Sequence, residues 1–276
     1  MNQNLESLHR YFSDRSAMAI AVSGGVDSMT LAVVAHRACP DTQVFHAVSP
    51  AVPVEATDRV RRYAELEGWH LNLVDAGEMH DEAYLANPAN RCYFCKTNLY
   101  DTVVERTSLR VASGTNLDDL GDYRPGLVAA EEHQVCHPYV ELSISKADLR
   151  GIAGELALDD LKDLPAAPCL SSRVTTGIAI DAELLPVIDE AERGVRNRLS
   201  GRMELEEVRC RIRTGEVALQ IEATEPIDPA SEIFQDSVGF VRRLFEARGF
   251  SHQVGNVVVE PYRMGSAFLL ETVEVQ

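Results

Sequence analysis

The feature that most constrains this 276-residue chain is the hexapeptide Ser23-Gly24-Gly25-Val26-Asp27-Ser28, set between an apolar run at residues 17–22 and a helical stretch at 29–38. The run reads as a buried strand. A strand that turns through two glycines into a helix N-terminus aims several backbone N–H groups, and the positive end of a helix dipole, at one point. That point suits an anion, most simply a phosphate. Gly24 and Gly25 let the backbone close on the ligand, and Ser23 and Ser28 can add hydroxyl donors. Asp27 is the odd member, because a carboxylate beside phosphate is repulsive unless a metal ion sits between them, and this predicts Mg²⁺. The Walker pattern G-x-x-x-x-G-K-[ST] is absent, so this is not an ordinary P-loop. The plain alternative is a tight strand-to-helix turn with a Ser/Asp cap.

Further strand-like runs at 43–48, 71–74 and 109–113 alternate with helical stretches at 54–67 and 97–106. Such alternation predicts an α/β fold with a parallel sheet and crossover helices, whose ligands bind at the carboxyl ends of the strands, where the hexapeptide falls. More helices are predicted at 127–133 and at 146–156, the latter capped by Ser145. A proline-bearing passage at 164–173 then breaks the rhythm and divides the chain into a nucleotide-binding domain at 1–165 and a smaller α/β domain at 166–276. The second domain is predicted to hold a helix at 181–199, a hairpin of 207–213 and 216–222 about Thr214-Gly215, a helix at 229–247 and a strand at 256–260.

The net charge of −17 disfavours approach to a phosphate polymer, so a large nucleic acid is not the expected partner. No apolar stretch nears the ~20 residues needed to span a bilayer, and the polar start has no signal-peptide character, so the cytoplasm is the default expectation. In that compartment six cysteines point to metal ligands, redox groups or core residues rather than disulfides.

Cys92 and Cys95 form a C-x-x-C in Asn90-Arg91-Cys92-Tyr93-Phe94-Cys95-Lys96, at an expected loop-to-helix junction, where two thiols can face one metal or form a redox pair. A third thiol, Cys169, lies in Pro168-Cys169-Leu170-Ser171-Ser172-Arg173. Three cysteines would leave a four-site cluster or metal with one open position, which means chemistry rather than structure. Gly114-Thr115-Asn116-Leu117-Asp118-Asp119 follows the strand at 109–113 and suits ribose, phosphate or metal; Asp122-Tyr123-Arg124-Pro125-Gly126 adds the Arg124 guanidinium. In the second domain Arg209 and Arg211 share one strand face. Binding a phosphate and forming a salt-bridged surface pair compete evenly there, and Arg263 with Gly265 and Ser266 is a weaker candidate of the same sort. Cys39, Cys136 and Cys210 read as small buried hydrophobes, and the histidines, His46 and His137 included, show no metal-ligand spacing.

Together SGGVDS, NRCYFCK, GTNLDD with DYRPG, and PCLSSR resemble the LarE sulfur transferases of the PP-loop ATP pyrophosphatase superfamily, in the family's order and over nearly the whole chain. The resemblance implies a substrate, pyridinium-3,5-biscarboxylic acid mononucleotide, whose carboxylate is adenylated with release of pyrophosphate and then converted to a thiocarboxylate for the nickel-pincer nucleotide. It implies that Ser23, Gly24, Gly25, Asp27, Ser28, Gly114, Thr115, Asn116 and Arg124 bind ATP and Mg²⁺, with Asp27, Ser28 and Cys169 catalytic. It further implies that Cys92, Cys95 and Cys169 hold a [4Fe-4S] cluster loaded by a sulfide donor. Arg173, Arg209, Arg211 and Asp228 would meet the substrate, and the assembly would be a homotrimer or homohexamer. The rivals are a PP-loop tRNA thiolase, which the −17 charge disfavours, an amide-forming synthetase that uses ammonia and needs no cysteine trio, and a nucleotide-sensing or cluster-storage protein.

Overall fold

A computed structural model describes residues 2–121, 124–166 and 168–263. The chain divides into two compact units: Met1–Tyr84 with Asn90–Ala167, and Leu85–Ala89 with Pro168–Gln276.

The first unit opens with a helix that the sequence reading did not anticipate, α1 (Gln3–Ser13), capped by the Asn2 side chain on the backbone N–H of Asn4. Its buried residues Leu5, Leu8, Tyr11 and Phe12 recur at helical spacing on one face. Then come β1 (Met18–Ala21), α2 (Val26–Ala38), β2 (Gln43–Ala47), α3 (Val54–Glu67), β3 (His70–Val74), the short α4 (Glu82–Leu85), α5 (Arg91–Arg106) and β4 (Arg110–Ser113). The unit ends with α6 (Pro125–Glu132), α7 (Pro138–Glu141), α8 (Lys146–Glu155) and α9 (Asp159–Lys162). Ser145 caps α8 in a capping box with Asp148, as the sequence predicts.

The four strands form one parallel sheet in the order β3-β2-β1-β4. Alternation along β1 sends Met18 and Ile20 into one core with α1, α2 and α8, and Ala19 into another with Tyr100 and Val103 of α5 and Ala129 of α6. Both faces are covered, which is why the strands read as continuous apolar runs. This is the α/β fold expected of a PP-loop domain. The chain winds outward from β1 through β2 to β3 and then returns to place β4 on the other side of β1. The carboxyl ends of β1 and β4 therefore flank the point where strand order reverses, the place where such sheets hold their ligands.

The second unit holds α10 (Leu184–Leu199), β5 (Leu205–Arg213), β6 (Glu216–Ala223), α11 (Glu232–Ala247) and β7 (Asn256–Pro261). Its sheet runs β5-β6-β7, antiparallel at the predicted hairpin and parallel between β6 and β7. Buried faces of α10 and α11 cover it, with Ile188, Val195, Val241 and Phe245 fully enclosed. No helix among the described residues is long and apolar enough to cross a membrane.

Candidate active site

In the first unit the hexapeptide is the turn from β1 into α2. Gly24 takes the left-handed φ of +81°, and a Cβ there would meet the Ala56 carbonyl oxygen at 2.8 Å. The loop is cinched from within: the Ser28 hydroxyl accepts the Ser23 N–H at 3.1 Å and lies 3.3 Å from the Ser23 hydroxyl. It is held from outside by Arg59, whose Nη1 donates to the Gly24 carbonyl at 2.7 Å. Beneath it His46 bridges the Val22 carbonyl at 2.9 Å and the Thr57 hydroxyl at 3.0 Å. Burial lowers the His46 pKa, keeping the ring neutral.

The loop after β4 closes the other side. A Cβ on Gly114 would stand 2.6 Å from the backbone nitrogen of Ser28, so only glycine allows the two loops to come together. Thr115 and His137 share the Ser113 hydroxyl, at 3.1 and 2.9 Å. Asn116 is buried; its side-chain oxygen accepts the Asp118 N–H at 3.0 Å, and its own N–H donates to Asp119 at 3.0 Å. That is an Asx turn, and Asn116 shapes the loop. Asp118 accepts the Lys146 N–H, tying the loop to the start of α8, and Arg124 pairs with Asp119 at 2.8 Å. Asp122 and Tyr123 lie outside the described residues, as do Gly265 and Ser266.

Asp27 stands in the first turn of α2. Lys146 Nζ lies 2.5 and 2.7 Å from its two carboxylate oxygens, and Tyr139 donates to its backbone carbonyl at 3.0 Å. Burial raises the Asp27 pKa and Lys146 opposes the rise. Sequence reading missed this lysine because the partners are far apart in the chain. Mg²⁺ characteristically binds through one or two carboxylates plus substrate phosphates, so a half-buried Asp27 beside a phosphate-shaped loop fits that ion.

Cys92 and Cys95 lie at the loop-to-helix junction as predicted, but α5 begins at Arg91, whose side chain is buried, rather than at the expected position 97. At a separation of three they share one helix face, Cys92 exposed and Cys95 half-buried. Cys169 belongs to the second unit, half-buried at the start of a 3₁₀ turn over Leu170–Arg173. Among the described residues no group of three or more His, Cys, Asp or Glu side chains is arranged to hold a metal ion. By their chemistry the thiols suit an iron-sulfur cluster.

The arginines of the second unit are buried, which overturns the reading of Arg209 and Arg211 as a surface pair. Arg173 makes a two-point ion pair with Glu192, Nε to Oε1 at 2.9 Å and Nη2 to Oε2 at 3.0 Å. Arg209 pairs with Glu207 at 2.6 Å, while Arg211 donates to the side-chain carbonyl of Gln220 at 3.0 Å and to the Ser172 backbone carbonyl at 2.5 Å. Burial, with Arg173 nearby, pushes Arg211 down to about 10. Burial raises Glu207 as well, against the pull of Arg209. Three guanidiniums faced by two carboxylates leave this cluster net cationic, a setting that favours an anion. Asp228 is an exposed turn residue that accepts the Ala230 N–H at 3.1 Å.

No family model matches the chain. It is 36% identical to the uncharacterized protein slr1717 of Synechocystis over 91% of its own length and 92% of that protein. The chain belongs to the slr1717 family. The chain is also 28% identical to the uncharacterized protein MJ0830 of Methanocaldococcus jannaschii, over 66% of its own length and 70% of that protein. A more distant relative is the pyridinium-3,5-bisthiocarboxylic acid mononucleotide synthase of Lactiplantibacillus plantarum, 26% identical over 67% of the chain and 68% of that protein. This relation supports the kinship of the slr1717 family with LarE.

Proposed function

We propose that this protein is an ATP-dependent sulfur transferase acting on a carboxylate of pyridinium-3,5-biscarboxylic acid mononucleotide. The observation that carries the proposal is the closed junction of the SGGVDS and Gly114 loops at the sheet's reversal point, together with the distant relation to the synthase.

In this reading the N–H groups of Gly24 and Gly25 and the hydroxyls of Ser23 and Ser28 bind the ATP phosphates, and Thr115 and Arg124 complete the pocket. Asp27 would hold Mg²⁺, which supplies neutralisation of phosphate charge. The substrate carboxylate attacks the α-phosphorus, the bond to the β-phosphate bridging oxygen breaks, and pyrophosphate leaves. The resulting mixed anhydride makes AMP a good leaving group. Hydrosulfide from the sulfide donor attacks the acyl carbon, AMP leaves with the electron pair of the broken anhydride C–O bond, and loss of the S–H proton gives the thiocarboxylate. Arg209 and Arg211 would bind the substrate phosphate, with Asp228 contributing from the same unit.

Cys169 is the residue proposed to bring sulfur to the acyl carbon. A [4Fe-4S] cluster is proposed from the residue set, with Cys92, Cys95 and Cys169 as the thiolates that would hold it. Assembly as a homotrimer or homohexamer follows from the same kinship and is read by analytical ultracentrifugation.

The decisive experiment supplies ATP, Mg²⁺, sulfide and the pyridinium mononucleotide under anaerobic conditions and measures pyrophosphate and product mass. Mononucleotide-dependent pyrophosphate release with a mass gain for oxygen-to-sulfur exchange is the expected result. Pyrophosphate release driven by tRNA or by ammonia instead would refute the reading. Iron and acid-labile sulfide analysis of the anaerobic protein tests the cluster, and a colourless protein carrying zinc rules it out.

A further inference from the structure

Arg173 is 2% exposed, and all three of its nitrogens are engaged within its own unit. Nε and Nη2 grip the two oxygens of Glu192. Nη1 donates to the Pro168 carbonyl at 2.6 Å and reaches the Cys169 carbonyl at 3.2 Å and the Ser172 hydroxyl at 3.1 Å. Glu192 is shared in turn, since its Oε1 accepts the Cys210 N–H from the open edge of β5 at 2.8 Å. One carboxylate on α10 thus seats a guanidinium that holds the backbone at the sulfur-bearing residue and just before it.

A phosphate ligand must aim N–H groups at the space the phosphate enters, whereas this guanidinium is turned onto main-chain carbonyls and a glutamate. The fork geometry explains the residue type, because a lysine ammonium cannot span Glu192 and the turn together. We infer that Arg173, seated by Glu192, is a positioning residue that fixes the backbone of Cys169 and is not itself a ligand of the substrate phosphate. This rests on the proposed role of Cys169 in delivering sulfur.

The test uses the full chain with Arg173→Gln, Arg173→Lys, Glu192→Gln and the Gln/Gln double variant. Amide hydrogen exchange over residues 169–174 is expected to quicken about ten- to hundredfold in each single variant, as suits loss of a buried charged hydrogen bond. The strands of the first unit should keep wild-type protection. The double variant should be no worse than either single, because the two residues act as one unit. In turnover, kcat should fall while KM for the mononucleotide stays put, and Arg173→Lys should not rescue it. Wild-type exchange in the turn, or a raised KM with kcat intact, overturns the inference and makes Arg173 a substrate ligand. Should the mononucleotide drive no reaction at all, the functional proposal fails separately, while the exchange and double-variant results still decide the positioning role. Should either Gln variant not fold, Arg173→Lys and Glu192→Asp carry the same measurements.

Discussion

The Asp27 carboxylate and the Lys146 ammonium form a two-oxygen ion pair, at 2.5 and 2.7 Å, between the first turn of α2 and the first residue of α8. Under the proposed function Lys146 would cancel the charge that otherwise repels the ATP phosphates. Lys146→Gln is therefore expected to weaken ATP binding about tenfold, equivalent to ~1.4 kcal/mol. Asp27→Asn should strengthen binding in EDTA yet lose the gain that Mg²⁺ gives the wild type. Isothermal titration with and without Mg²⁺ reads both, and equal affinities for Lys146→Gln and wild type would contradict the assignment.

Gly114→Ala places a methyl on the Ser28 nitrogen, where backbone meets backbone and nothing can rotate aside. Overpacking of this sort costs about 1–3 kcal/mol. Urea unfolding should show that loss, and the loops, forced apart, should lose nucleotide affinity by more than the stability change predicts. A variant with wild-type ATP binding would mean the two loops do not jointly form the site.

His46→Leu strands the buried Val22 carbonyl and the Thr57 hydroxyl without their shared partner. Leaving a buried group unsatisfied costs about 1–3 kcal/mol. Because Val22 immediately precedes the loop, ATP affinity should fall with it; His46→Gln, which can keep one of the bonds, should recover part of both.

His133 joins α5 to α6, with Nδ1 on the Ala129 carbonyl at 2.7 Å and Nε2 on Asp101 at 2.9 Å. Two acceptors demand both ring protons. Burial alone would lower its pKa, but the bonds to Asp101 and Ala129 and the charges of Asp101 and Glu132 outweigh it and raise the value. A raised folded pKa stabilises fully below the unfolded value of about 6.5 and is lost as pH climbs through the folded value. The urea midpoint difference between wild type and His133→Gln should thus shrink between pH 6 and pH 8. His46, shifted the opposite way, acts equally on both proteins and cancels in the difference.

The parallel sheet and the glycine turn from β1 into α2 were legible because hydrophobic runs and glycines act locally. Helix α1 went unread, because the polar start masked the helical spacing of Leu5, Leu8, Tyr11 and Phe12. The start of α5 was misplaced because Arg91, a charged residue at a helix end, reads as solvent-facing although it is buried. The roles of Lys146 and Glu192 were not legible: each takes its meaning from a partner distant in sequence, and a lysine or glutamate on a helix otherwise looks like ordinary surface. For the same reason the balance between phosphate site and surface pair at Arg209 and Arg211 turned on burial, which a strand sequence flanked by charges does not display.

The pairing of β4 beside β1 bears on biogenesis. SGGVDS leaves the ribosome before its glycine partner at position 114, which emerges only after two intervening strands and their helices. A nascent chain halted before β4 would carry the whole hexapeptide and still lack the Gly114 loop that closes on Ser28, so this junction is completed only by a long-range strand insertion, the slow kind of folding event.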